Sequence, residues 1–310
     1  MRVHDQFLKT VAFLFLDESG KKMPVGTAFF VSVGADNAQY DYVQDIWSGE
    51  FFTYAVTARH CIEDNKGDPP IFLRINLEGG GHKYLETRKG DWAVHPNADV
   101  AVRLLRYREC PSGAALDTIA EPLFVDPDNR CRRAFGEILP RVGVSHDDAE
   151  LIDRSYKEGI EINIGDDLFF PSLFVHSAGQ QRNLPIVRFG NIARMPNEEL
   201  IKLKSATRGE FKTRAFLAEV HSWGGHSGSP VFWHYDLALP MQNWVRALLG
   251  LVSAHFDIKG RVVKTSEASM KLNSGIAAVT PIENVKELLI RPDAMRERIE
   301  EQQDRDRSEP

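Results

Sequence analysis

Residues 224–231 read Gly224-Gly225-His226-Ser227-Gly228-Ser229-Pro230-Val231. A serine stands in a glycine-rich turn directly before an apolar, β-like run. A hydroxyl of this kind is a poor nucleophile until a neutral imidazole takes its proton. That imidazole must in turn be held in the right tautomer by a carboxylate. Both partners have candidates upstream. In Tyr54-Ala55-Val56-Thr57-Ala58-Arg59-His60-Cys61 a β-like run ends in Thr-Ala, and a histidine follows two residues on. In His95-Pro96-Asn97-Ala98-Asp99-Val100-Ala101-Val102 an aspartate opens a strand-like run. Acyl transfer also needs preorganised N–H donors for its oxyanion. Gly225, two before the serine, has the backbone freedom to aim one, and Ser227 supplies a second.

The rival arrangement for a serine at a sharp turn is Gly-x-Ser-x-Gly, followed by a helix and with the histidine last in the chain. Here Ser229 breaks that motif, Pro230 opens a β-like run, and His60 and Asp99 precede Ser227.

The rest of the chain reads as β structure. Short runs rich in Val, Ile and Phe recur between turn residues: Val11–Leu16, Gly26–Val33, Phe51–Thr57, Ile71–Ile75, Val100–Leu105, Ile160–Ile164, Leu184–Ile192, Phe216–Val220, Val245–Val252 and Gly275–Val279. Runs of this length predict a sandwich or barrel. Residues 111–156 break the pattern and read as a connector with some helix. Thr280-Pro281-Ile282-Glu283 carries an N-cap signature, Thr as cap and Pro at the first helical position. Ile282, Val285 and Leu289 then share one helical face, Pro292 stops or kinks the helix, and the charge-dense remainder frays.

Composition narrows the function. The 310 residues are 26% charged and carry a formal charge of -6 with no basic stripe, so no nucleic-acid partner is expected. No apolar run approaches the ~18 residues that cross a bilayer, so no membrane is expected. Three cysteines, Cys61, Cys110 and Cys131, suit a reducing compartment. With no signal pattern in MRVHDQFLKT, the expectation is a cytoplasmic protein. The spacing of His221, His226 and His234 fits no zinc pattern, so neither metal nor cofactor is expected.

With these pieces in order the chain resembles the trypsin/chymotrypsin-like serine peptidases, in particular the bacterial HtrA-like and trypsin-like branch without a PDZ domain. The matching text is Gly26-Thr27-Ala28-Phe29-Phe30-Val31, Thr57-Ala58-Arg59-His60-Cys61, Asp99-Val100-Ala101-Val102, Gly225-His226-Ser227-Gly228-Ser229-Pro230, Gly250-Leu251-Val252-Ser253 and Gly275-Ile276-Ala277-Ala278-Val279-Thr280-Pro281-Ile282. The resemblance implies an all-β fold of two six-stranded antiparallel barrels with a C-terminal helix. Residues 5–110 would form the barrel carrying His and Asp, 111–156 the connector, 157–280 the barrel carrying Ser, and 281–310 the helix and charged tail.

It also implies roles. Ser227 is the nucleophile, His60 the base then acid, Asp99 the orienter, and the N–H groups of Gly225 and Ser227 the oxyanion hole. Ser253-Ala254-His255 is the edge along which a polypeptide substrate lies as an added strand. His221 falls at the base of the primary pocket, Gly275 on its far wall, and Trp223 near the cleft. Three departures stand out. His226 replaces the Asp that digestive enzymes pair with a freshly cut N-terminus, so activation by trimming is not expected. His221 is not acidic, which disfavours Arg or Lys before the scissile bond. The two imidazoles of His221 and His255 either simply shape the pocket or suit an acidic or polar-neutral residue there, and the latter is the specificity expected. The expected function is serine endopeptidase with narrow specificity or a regulatory protein partner. The alternative is a silent peptide-binding or adaptor module on the same fold.

Overall fold

A computed structural model describes residues 3–18, 20–35, 39–41, 46–48, 50–109, 116–123, 139–140, 162–196, 199–222, 224–236, 244–261 and 269–307. Most of the expected connector, with Cys110, Cys131 and Trp223, lies outside them.

The chain is mainly β. The N-terminal part contributes β1 (Val11–Glu18), β2 (Lys21–Gly34), β3 (Gln39–Asp41), β4 (Ile46–Ser48), β5 (Phe51–Thr57), β6 (Ile71–Asn76), β7 (His82–Thr87), β8 (Ala93–Val94) and β9 (Ala101–Leu104). Seven of them run side by side in the order β7-β6-β1-β2-β5-β9-β8, all antiparallel, while β3 and β4 pair only with each other. From the connector, β10 (Glu121–Pro122) adds an eighth strand, parallel to β2.

The C-terminal part contributes β11 (Leu139–Pro140), β12 (Asp167–Ser172), β13 (Ile186–Arg194), β14 (Ile201–Ser205), β15 (Gly209–Thr213), β16 (Phe216–Glu219), β17 (Pro230–Asp236), β18 (Trp244–Arg261) and β19 (Ser269–Pro281). Here β18-β17-β12-β13-β16-β19 closes on itself through the β18–β19 ladder. Closure removes the exposed edges that an open sheet would leave. This half is therefore a closed six-stranded barrel, with β11 added to β18.

Two equivalent six-stranded barrels were expected, and the halves differ. Among the described residues no ladder joins β7 to β8. The two residues of β8 pair with β9, and beside them Trp92 Nε1 donates to Thr87 Oγ1 at the end of β7 (3.1 Å). The expected strand at Ile160–Ile164 is also corrected. Its described end, from Ile162, leads into a turn with Gly165 at φ 95°, and the strand starts at Asp167.

Each half has its own core. Phe13, Leu14, Phe29, Phe30, Val56 and Ile71 fill the first, and Phe170, Ile192, Val231, Trp233 and Val279 fill the second. Helix α1 (Arg59–Glu63) is a short turn after β5. At the C-terminus, α2 (Glu283–Leu289) begins two residues later than the Thr280 cap implied, because Thr280 and Pro281 still belong to β19. Its Val285 and Leu289, with Ile282, are buried against the first core, as their spacing predicts. The tail beyond Pro292 does not fray within the described residues. Pro292 opens a 15-residue helix, α3 (Pro292–Asp306). Polar contacts hold it in place. Glu301, 2% exposed, accepts the Tyr107 N–H (2.7 Å) and Arg305 Nε–H (3.1 Å), and Arg298 Nη1 donates to the Tyr54 hydroxyl (3.1 Å).

Candidate active site

Strand β5 ends at Thr57, and the chain turns at once into α1, which carries His60 and Cys61. Asp99 lies in the loop between β8 and β9, almost wholly buried. Its Oδ1 accepts the His60 backbone N–H (2.9 Å) and its Oδ2 lies 2.7 Å from His60 Nδ1. The two bonds fix the ring's position and put the proton on Nδ1. Nε2 is then the ring's proton acceptor. Burial alone would lower the His60 pKa. Electrostatic interaction and hydrogen bonding with Cys61 and with the Asp99 carboxylate reverse that and raise it well above the ordinary histidine value.

The loop around Asp99 has its own anchor. His95 is buried, and its Nδ1 accepts the N–H groups of Asn97 (3.2 Å) and Ala98 (2.8 Å). Its Nε2 then donates to Glu287 Oε2 on α2 (2.9 Å). The sequence reading gave His95 no role. It lies in the Asp99 segment, but nothing in the text says that an imidazole would organise a loop from within.

Ser227 comes from the other half. The two halves are joined around it by Thr27 of β2. Thr27 N–H donates to the Ser227 carbonyl (2.9 Å), and Thr27 Oγ1 donates to the Gly225 carbonyl (2.9 Å) while accepting the Leu173 N–H (3.0 Å). The Ser227 carbonyl also lies 3.9 Å from the Sγ of Cys61, the residue after His60. The serine turn is thus docked against the base of the helix carrying His60. Gly225 (φ 95°) and Gly228 (φ 82°) both occupy the left-handed region that favours glycine. A Cβ on Gly228 would run into the Thr27 carbonyl and the Thr57 hydroxyl. Among the described residues, neither the Gly225 nor the Ser227 N–H donates to a protein acceptor.

His226 between them is fully buried, edge-on to Phe170 with ring centroids 5.7 Å apart. Burial first, then the charges of Arg188 and His255, push its pKa down to about 4, so it is neutral near pH 7.

The expected substrate-binding residues lie on β18, on β19 and after β16. Strand β18 is paired to β17 only as far as Leu251, and from Ala254 onward its pairing is with β19 alone. Ser253 sits in a bulge, with its hydroxyl bonded to the Thr280 hydroxyl. One edge of Ser253-Ala254-His255 therefore carries no ladder among the described residues. His255 is exposed, with Nε2 3.7 Å from Asp257. Gly275 (φ 78°) accepts the Val220 N–H on its carbonyl (2.7 Å), and Asn273 donates to the Ser222 carbonyl. These bonds put Gly275 beside residues 220–222. His221 is exposed there.

A third element reaches the site. Strands β14 and β15 form a hairpin outside both large sheets. Its turn donates two backbone N–H groups, from Ala206 (2.6 Å) and Thr207 (2.9 Å), to the carboxylate of Asp64 at the end of α1. Arg208 from the same turn donates to the carbonyls of Pro96 (3.1 Å) and Ala98 (3.3 Å) in the Asp99 loop. The alternating polar text of 201–213 is the only trace of this hairpin in the sequence, and nothing in it names a docking partner. Among the described residues no cluster of three His, Cys, Asp or Glu side chains could hold a metal ion.

No family model matches the chain, and no curated protein matches it. Among solved structures it is similar to the active form of the Rv3671c protease of M. tuberculosis, at 13% identity and TM-score 0.36 over 91% of this chain and 80% of that one. It is similar to tobacco vein mottling virus protease at 13% identity and TM-score 0.41, covering 95% and 87%. It is also similar to catalytically inactive tobacco etch virus protease complexed with substrate, at 11% identity and TM-score 0.40, covering 95% and 88%. Likeness at this level assigns neither family nor activity.

Proposed function

We propose that the chain is a serine endopeptidase that cleaves extended polypeptide through an acyl-enzyme. The observation that carries this is the pair of hydrogen bonds that the Asp99 carboxylate accepts from His60, from its backbone N–H and its Nδ1, next to a serine turn that keeps two N–H groups unused. In this reading His60 Nε2 takes the Ser227 proton as Oγ attacks the scissile carbonyl, and Asp99 stabilises the imidazolium that results. The Gly225 and Ser227 N–H groups hold the oxyanion. His60 then gives its proton to the leaving amine, and water reverses the sequence to free the acid. The ladder-free edge of β18 from Ser253 to His255 would take the substrate as an added strand.

A fluorophosphonate probe tests this. Labelling is expected on Ser227 and lost in Ser227→Ala, together with peptide hydrolysis. A wild-type chain that binds peptide without labelling would instead be the silent module that the same free edge supports. We further infer a narrow target range or a protein partner that gates activity, and a cytoplasmic setting. Indiscriminate digestion of unfolded proteins by the isolated chain would count against the first, and cell fractionation checks the second.

A further inference from the structure

We propose that Arg188 reads the substrate side chain next to the scissile bond and selects a carboxylate there, an inference that rests on the peptidase reading above. In the antiparallel ladder Arg188 of β13 lies directly opposite Phe170 of β12. Directly opposed residues share a face. Phe170 belongs to the core of the C-terminal barrel, whereas its neighbour Phe169 packs on the outer side with Phe7 and Phe232. Arg188 therefore projects on the inner side, where Phe170 meets the ring of His226, the residue before Ser227. The guanidinium Nε is buried and has no hydrogen-bond partner. Among the described residues no carboxylate pairs with Arg188. A buried guanidinium N–H without an acceptor is costly, and an anion from outside relieves that cost.

The neighbouring charges leave this role open to Arg188. His226 is neutral in its buried setting, and His255 is tethered near Asp257. The other titratable groups on the elements around it are Glu219 on β16, Asp167 on β12 and His221 after β16. Glu219 and His221 are exposed, and Asp167 sits opposite Asn191, whose side-chain amide it accepts (2.8 Å). The standing positive charge beside the serine turn is the guanidinium. A planar fork of N–H donors matches a carboxylate in charge and shape, and a carboxamide only in shape.

The test uses peptidyl phosphonates that differ only in the residue next to the warhead: Glu, Gln, Leu and Lys. Wild type is expected to be inactivated by the Glu reagent about 100-fold faster than by the Gln reagent. In Arg188→Gln that ratio falls to about 1, and Arg188→Lys restores part of it. The ratio should stay level from about pH 6 to 9, since a guanidinium keeps its charge throughout. Equal Glu and Gln rates in wild type would overturn the proposal. So would an unchanged ratio in Arg188→Gln that melts like wild type. A ratio that collapses as pH rises across that range would also overturn it, since a guanidinium does not lose its charge there. If no reagent labels the chain, the peptidase reading fails. Calorimetric binding of peptides ending in Glu or Gln to Ser227→Ala, with and without Arg188→Gln, then holds the Arg188 assignment to the same comparison.

Discussion

Asp64 accepts the backbone N–H groups of Ala206 and Thr207 on its two carboxylate oxygens, Oδ2 at 2.6 Å and Oδ1 at 2.9 Å. It thereby ties the β14–β15 hairpin to the helix that carries His60. With Arg208 bonded to the Asp99 loop, one hairpin touches the carriers of both His60 and Asp99. Removing the carboxylate should therefore loosen a proton-transfer pair that it does not touch.

Asp64→Ala is expected to cost about 1–2 kcal/mol, after allowance for partial exposure. Hydrogen exchange should read this as roughly 10-fold weaker protection in residues 201–213. Burial would raise the Asp64 pKa, but the two N–H bonds and the Thr207 hydroxyl outweigh it and lower it. A depressed carboxyl stabilises the fold above its unfolded pKa of ~3.9 and loses that contribution as pH falls through the folded value. The hairpin should thus open selectively in acid in wild type, and show no such step in Asp64→Ala. Uniform protection in both proteins would contradict this.

The rate–pH profile follows from the bond between His60 and Asp99. A base with a raised pKa is protonated, and idle, until pH passes that value. kcat/KM should rise with pH along a limb centred above 6.5. Asp99→Asn should lower kcat by about 10,000-fold and move the limb toward acid. A limb at or below 6.5 in wild type would show that the carboxylate does not act on the ring.

Thr27 tests how the serine turn is docked. Its side chain is fully buried, and Oγ1 both donates to Gly225 and accepts from Leu173. Thr27→Val keeps the shape and strands both partners, at about 1–3 kcal/mol. It should lower kcat more than it raises KM, because it frees the backbone that aims the oxyanion donors. Thr27→Ser keeps the hydroxyl and should restore most of the activity. Equal urea midpoints and equal kcat across the three proteins would remove Thr27 from the machinery.

Glu301 tests the C-terminal helix. Glu301→Ala leaves the part-buried Tyr107 N–H without its acceptor and Arg305 without its partner, at about 1–2 kcal/mol. The loss should appear as a lower urea midpoint and as faster proteolysis of 292–307, with peptide hydrolysis intact because α3 bonds to Tyr54, Arg106 and Tyr107 and not to His60, Asp99 or the serine turn. An unchanged midpoint would show that this contact adds nothing to stability.

Local turns and strand ends were readable from text. The end of β5 before His60, the start of the run at Asp99 and the glycine turn around Ser227 are constraints on neighbouring residues, and a turn or a strand end needs only a few residues to declare itself. Most β-runs were also readable, because burial on one or two faces writes itself as periodic apolar residues. Residues 162–164 were misread because alternating isoleucines look the same whether they are paired or lead into a turn. The 292–306 helix was misread because buried polar bonds hold it, and polar bonds leave no apolar stripe.

Pairing across long stretches of chain was decided only by the tertiary structure. Closure of one half and not the other depends on whether the two edges come to rest side by side, as β18 and β19 do and, among the described residues, β7 and β8 do not. The work of Thr27, His95, Asp64 and Arg188 likewise depends on which distant backbone or ring comes to rest beside each. Sequence alone set which side chains are capable of acid–base or nucleophilic chemistry, since that is fixed by residue type. Folding set what each of them faces, since hydrogen bonds and charges act over a few ångströms of space whatever their separation along the chain.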